Sequence, residues 1–230
     1  MNVWIFVEGQ SDELALRALF QHWIVNLGNR GSSIRFIRLG GKNEFLKRIG
    51  DRGAEKLAGD RSDFVVTLPD LYPITGFTNH RDFDSLCRFQ TDQIRESLLA
   101  TQRVRKDELE SFLGRLRSSA FKYELEMLLL AASDALRAVL QTSQGLGQSF
   151  ITPVEEQNLG SPPKKIVRDL FRLKSRRRRE YRETTDAKDV LERVSDNIGS
   201  ILRTPSGQPQ CPCFQSVLDW LGQKTGVLLY

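Results

Sequence analysis

Residues 2–13 read NVWIFVEGQSDE. The run 2–7 is rich in β-branched and aromatic side chains and is closed by a Glu-Gly pair, which predicts a short buried strand. A helix follows at once. Ser11 can cap it, Asp12 and Glu13 suit the positive end of its dipole, and Leu14, Ala18, Leu19 and Trp23 supply an apolar stripe that stops at Gly28. A strand that passes directly through a carboxylate into a helix opens a β-α-β unit and places Glu8 at the carboxyl edge of the sheet.

Moving outward, residues 33–39 (SIRFIRL) have partly alternating polarity and predict a second strand behind the turn-forming 29–31. Helical spacing resumes over 43–57 through Phe45, Leu46, Ile49 and Leu57, with Gly50 and Gly53 weakening it. Residues 64–68 (FVVTL) predict a third strand, closed by Pro69-Asp70. Strands alternating with helices at this spacing imply right-handed crossovers and a largely parallel sheet flanked by helices, an α/β fold. Ligands of such sheets collect at the carboxyl ends of the strands, so Glu8 and Asp70 are delivered to one edge. Trp4, Phe6, Val65 and Val66 are the expected core. Beyond Tyr72 the spacing predicts helices over 81–101, 106–116, 121–140, 163–174, 187–202 and 213–221, with loops at 141–163 and 204–212. The organisation expected is an α/β core over 1–140 and a basic helical extension over 141–230 packed on it.

With 230 residues and 40% hydrophobic content the chain can bury a core. No apolar run reaches the roughly 18 to 20 residues that span a bilayer, and the N-terminus lacks the basic region and cleavage site of a signal peptide, so a cytoplasmic protein is expected. Three cysteines and two histidines are too few for a convincing zinc site. Cys211 and Cys213 are expected to cover the core near Phe214 and Trp220 instead of acting as nucleophiles. The net charge is +5, and the segment 164–182 (KKIVRDLFRLKSRRRREYR) carries most of the excess. Such a segment suits a polyanion, although a solvated helix face, an acidic protein or a membrane surface would produce the same composition.

Two acidic strand ends suit phosphoryl transfer, because Mg²⁺ takes hard oxygen ligands that water and phosphate complete. Gly9 permits close backbone approach beside Glu8, and Tyr72 stands two residues beyond Asp70. Helix capping or loop placement is the structural alternative for both acids. Lys164 and Lys165 follow Pro162-Pro163 at a helix start, where an ammonium can be aimed at a phosphate or simply face water. Arg176, Arg177, Arg178 and Arg179 are dense enough in charge to face water or a polyanion, and contacts of that kind bind phosphate without reading sequence.

Residues 7–13, VEGQSDE, resemble the VEG-x-(S/T)-(D/E)-E opening of Toprim domains. More narrowly, the chain resembles a prokaryotic Toprim-like family with five landmarks in order: a VEGQTEE opening, Asp-x-Tyr-Gly, His-Glu-Phe-Glu, Pro-Ser-Lys-Arg, and Cys-Pro-x-Phe before Trp-Leu. Here they stand as VEGQSDE, Asp70-Leu71-Tyr72-Pro73, Tyr123-Glu124-Leu125-Glu126, Pro162-Pro163-Lys164-Lys165, and Cys211-Pro212-Cys213-Phe214 before Trp220-Leu221. The resemblance implies a Toprim-like fold, a catalytic site of Glu8, Asp70 and Glu126, and metal ligation of Mg²⁺ or Mn²⁺ by Glu8, Asp70 and one of Glu124 or Glu126. It also implies kinship with overcoming-lysogenization-defect nucleases and, in anti-phage loci, an ATPase partner of the ABC or structural-maintenance type. The chain departs from the pattern at Tyr72, where most Toprim domains have a second Asp, at Tyr123 for His, and at Pro73 for Gly. On a regular helix Glu124 and Glu126 would point about 200° apart, so only one could join the site, with Glu126 favoured. The functional expectation is a divalent-metal-dependent nuclease acting on nucleic acid; the alternatives are a non-catalytic nucleic-acid-binding or regulatory subunit and a pure interaction protein. Homo-oligomerisation stays open.

Overall fold

Val3, Ile5, Phe6 and Val7 are wholly sealed from solvent, as a strand with neighbours on both sides and cover on both faces requires. The computed structural model describes residues 1–74, 80–101, 104–143, 145–146, 150–157 and 160–230. Its elements run β1 (Asn2–Val7), α1 (Gln10–Leu19), α2 (Gln21–Gly28), β2 (Ser33–Arg38), α3 (Lys42–Gly59), β3 (Phe64–Leu68), α4 (Phe83–Ala100), α5 (Leu109–Leu113), β4 (Leu116–Ser118), α6 (Glu126–Ala131), α7 (Ser133–Leu140), a 3-10 turn at Val154–Glu156, α8 (Pro163–Lys174), α9 (Glu183–Glu192), α10 (Gly199–Leu202) and α11 (Pro212–Thr225). The four strands form one parallel sheet in the order β2-β1-β3-β4. The class is therefore α/β, with several helices following the last strand. Among the described residues no helix is long and apolar enough to cross a membrane.

The chain divides into two compact units, Met1–Gly9 with Ile24–Ala120 and Gln10–Trp23 with Phe121–Tyr230. The division falls after Ala120, not after residue 140 as the sequence suggested, and α1 belongs with the C-terminal helices. In the first unit Phe6 and Val65 of the sheet pack with Phe45, Leu46, Ile49 and Leu57 of α3 and Leu86, Ile94 and Leu98 of α4. Gly50 and Gly53, which weaken α3 by propensity, lie against α4 with no room for a side chain. A Cβ at Gly53 would lie 2.7 Å from Ile94, and one at Gly50 2.9 Å from the Gln93 carbonyl. The helix gives up local stability there to let its partner approach. The second unit packs α1 against α9 and builds an aromatic centre in which Phe20 stacks on Phe214 at 6.3 Å and Phe121 lies 6.1 Å from Phe214. Glu155, wholly buried, accepts the Cys213 and Phe214 amides (2.7 and 2.8 Å) and so caps α11, which accounts structurally for the Cys-Pro-Cys-Phe stretch. Burial pushes the Cys87 thiol up to about 12 and that of Cys211 well above its usual value, as non-nucleophilic cysteines require.

Several boundaries differ from the sequence reading. The first helix starts at Gln10, so Ser11 lies inside it and not at the cap, and it ends at Leu19 before α2 resumes at Gln21. The helix expected over 106–116 is the five-residue α5, and Leu116–Ser118 goes to β4, whose three residues are too few to show a strand period. The helix expected over 121–140 begins only at Glu126 and is divided at Ala132, where ψ is 44°. The helix expected over 187–202 is α9, four residues earlier in onset, and α10. Part of the loop expected over 141–163 lies outside the described residues.

Trp4, expected in the core, is only half-buried. Its indole donates to Asp63 at 2.8 Å, and the Lys56 ammonium sits 4.7 Å from its ring. Asp63, 4% exposed, also accepts the backbone amide (2.7 Å) and side-chain amide (3.0 Å) of Asn2. One carboxylate thus pins the start of β1. Asp63→Ala would leave these donors unmatched, and urea unfolding should register a loss of about 3 kcal/mol.

Candidate functional site at the carboxyl edge of the sheet

Three strands end level. Val7 pairs with Arg38 of β2 on one side and Leu68 of β3 on the other, so Glu8, Leu39 and Pro69 leave the sheet at one height. The chain leaves β1 toward β2 and leaves β3 toward β4, so strand order reverses between β1 and β3, where open α/β sheets hold ligands. Glu8 and Asp70 flank that point, and the Asp70 amide donates to Glu8 Oε1 at 3.0 Å. The end of β2 folds over them. The amides of Gly40 and Gly41 both donate to the Glu8 carbonyl (3.0 and 2.9 Å), with φ of 93° and 91°, values that glycine alone adopts without strain.

That glycine pair aims Lys42, the first residue of α3, inward. Its side chain is 7% exposed; its ammonium donates to the Asp70 carbonyl and lies 3.4 Å from the Leu71 carbonyl and 3.7 Å from Glu8 Oε1. Burial holds Lys42 below the usual lysine value against the pull of Glu8 and Asp70. His80, also buried, stands near: burial, then the Lys42 charge, push its imidazole down, opposed by its hydrogen bond to the Leu71 backbone. The sequence places Glu8 and Asp70 at the strand ends where they lie but does not bring Lys42 to them, although Gly40-Gly41-Lys42 directly after the second strand is the signal. His80 had none, since it follows a segment with no readable period.

The remaining sequence candidates lie in the second unit. Glu124 precedes α6 instead of riding on it, so the helical 200° argument does not apply to it. Its Oε2 accepts the Lys164 amide at 2.9 Å and thereby caps α8, whose first turn holds Lys164 and Lys165 after Pro163. Glu126 is 5% exposed and accepts the Tyr181 hydroxyl at 3.3 Å. Burial raises its carboxyl to about 7, moderated by Lys164. The Lys164 ammonium pairs with Glu183 at 2.8 Å, and Glu183 also takes Arg168 at 3.1 Å. Lys165 is exposed. Of the arginine run, Arg176, Arg177 and Arg178 are exposed, but Arg179 is not free to face a polyanion. It makes two 2.6 Å bonds to the buried Asp186 and lies 4.8 Å over the Phe171 ring. A buried carboxylate outcompetes water for a planar fork of donors, so one member of the run does fold against the protein.

The sequence profile of DUF4276, a domain of unknown function, matches residues 7–222. The chain belongs to this family. No curated protein and no solved structure matches it. The DUF4276 match opens at Val7 and closes just past Trp220-Leu221, so the strand-end cluster, both glutamates and the basic segment all fall inside the family domain.

The cluster can be tested against the metal expected from the sequence. Among the described residues of this DUF4276 chain, no group of three or more His, Cys, Asp or Glu side chains makes a ready cage. Mg²⁺, however, commonly keeps most of its water and is held by one or two carboxylates with substrate phosphate, and half-buried Glu8 and Asp70 fit that role as hard oxygen donors. The positive charge already there belongs to Lys42.

The Glu126 environment gives a signed pH dependence. Its folded value, about 7, lies above the ordinary 4.5, so the folded state holds the proton more tightly. The stability this contributes is complete below pH 4.5, declines as pH rises and is gone above pH 7. Glu126→Gln should therefore flatten the fall in melting temperature between pH 5 and pH 8 and raise it at pH 8, as read by thermal denaturation across that range.

Proposed function

We propose that this DUF4276 chain is a Toprim-like, divalent-metal-dependent phosphodiesterase acting on nucleic acid. The observation that carries the reading is the placement of Glu8 and Asp70 side by side where the strand order reverses, joined by the 3.0 Å bond from the Asp70 amide. Glu8 and Asp70 would hold Mg²⁺ or Mn²⁺, which when bound supplies a Lewis acid for a phosphoryl oxygen and an acidified water. Lys42 fixes the Asp70-Leu71 turn through its two carbonyls. Lys165 and Arg176 to Arg178, exposed in the second unit, are the residues suited to phosphate contacts. The assignment of Glu124 or Glu126 as a further carboxylate, and the role as an anti-phage effector beside an ATPase of the ABC or structural-maintenance type, rest on the sequence resemblance alone.

A second reading, a non-catalytic nucleic-acid-binding or regulatory subunit of an ATPase-containing complex, is favoured by Tyr72 at the place of the second Toprim aspartate. One experiment separates the two: cleavage of labelled DNA and RNA with Mg²⁺ or Mn²⁺, with and without a candidate ATPase of the ABC or structural-maintenance type, alongside melting curves. If the site takes metal, wild type gains about 2.7 kcal/mol at a metal concentration a hundredfold above Kd. Glu8→Gln and Asp70→Asn should lose most of that gain together with cleavage. Metal-independent melting with persistent oligonucleotide binding would select the binding subunit.

The basic segment has its own test. Replacing Arg176, Arg177 and Arg178 by Gln should weaken oligonucleotide binding for all sequences alike and reduce the slope of log K against log salt by about 2 to 3 units. An unchanged slope would mark the run as a solvated face.

A further inference from the structure

We propose that Lys42 is the resident counter-cation of the Glu8–Asp70 site, a positioning residue that holds the three strand ends together and sets how readily a divalent cation enters. This rests on the metal-dependent reading above and assigns within it a residue that neither the sequence motifs nor the family match singled out.

The geometry is specific. Lysine is almost never found with its ammonium out of water unless something compensates it. Here the compensation is two carbonyls of the Asp70-Leu71 turn and the Glu8 carboxylate, gathered from β1 and β3, while Lys42 itself starts from the end of β2. The side chain therefore crosses the end of the central strand to reach its partners. The Gly40-Gly41 turn, bonded twice to the Glu8 carbonyl, fixes its starting point. The pull of Glu8 and Asp70 opposes the burial cost of the charge.

Two consequences follow from placing one positive charge there. Without metal, the ammonium offsets the repulsion between neighbouring carboxylates, so the site is formed before any ligand arrives. With metal, the same charge repels the incoming ion at close range in a poorly solvated place, and affinity falls.

The test is the melting temperature of the full chain against Mg²⁺ and Mn²⁺ concentration for wild type, Lys42→Gln and Lys42→Arg. Lys42→Gln keeps a donor for the Asp70 carbonyl and removes the charge. It should melt lower than wild type without metal, yet respond to metal at a concentration on the order of tenfold lower. Lys42→Arg should respond where wild type does. If Lys42→Gln melts lower but responds at the wild-type concentration, Lys42 is a structural brace only and the inference fails while the metal reading stands. If neither wild type nor Lys42→Gln responds, the metal reading fails and takes the inference with it. A response in Lys42→Gln alone supports the inference most directly. Lys42→Met, which keeps the apolar stem, gives the same comparison should the Gln variant not fold.

Discussion

A single ammonium group sits where three parallel strands stop. Parallel strands have no turn to tie their ends, since each leaves for a distant crossover, so something else must set the spacing of the loops at the carboxyl edge. In this chain Lys42 does so, together with the two glycine amides that close on the Glu8 carbonyl. Its ammonium meets the Asp70 and Leu71 carbonyls, while the Asp70 amide holds Glu8 and the Leu71 backbone holds His80.

The second unit uses buried carboxylates in a different way. Glu155 ends a helix, Asp186 takes both arms of Arg179 and the Arg182 amide, and Glu126 sits with Tyr181 in surroundings that favour its neutral form. Burial raises the carboxyls of both Glu155 and Glu126, and at Glu155 the Cys213 and Phe214 amides oppose it. A buried carboxyl group thus serves as cap, anchor or near-neutral core group according to what reaches it.

The parts legible in the sequence were those fixed by local period. β1 and β3 were placed to the residue, as was α8, because a dense β-branched run or a Pro-led amphipathic stripe needs no distant information. Glu8 and Asp70 followed from strand ends alone. What stayed hidden was set by contacts far apart in the chain. A three-residue strand such as β4 exists only because β3 offers it an edge. The Arg179–Asp186 pair cannot be read from a charge run that composition describes as exposed, and the glycine pair before Lys42 marks a turn without saying that its ammonium crosses β1 to the end of β3.

Neither unit is one continuous stretch of chain. Residues 10–23 are threaded out of the first and into the second, where α1 lies along α9. On a ribosome α1 emerges early and its partner does not yet exist; at typical synthesis rates the wait is roughly ten to thirty seconds. Through that interval the apolar stripe of α1 has no permanent cover. The chain must therefore finish its second unit after release of nearly all its length, and a single cut in the gene after residue 120 would leave that unit without residues 10–23.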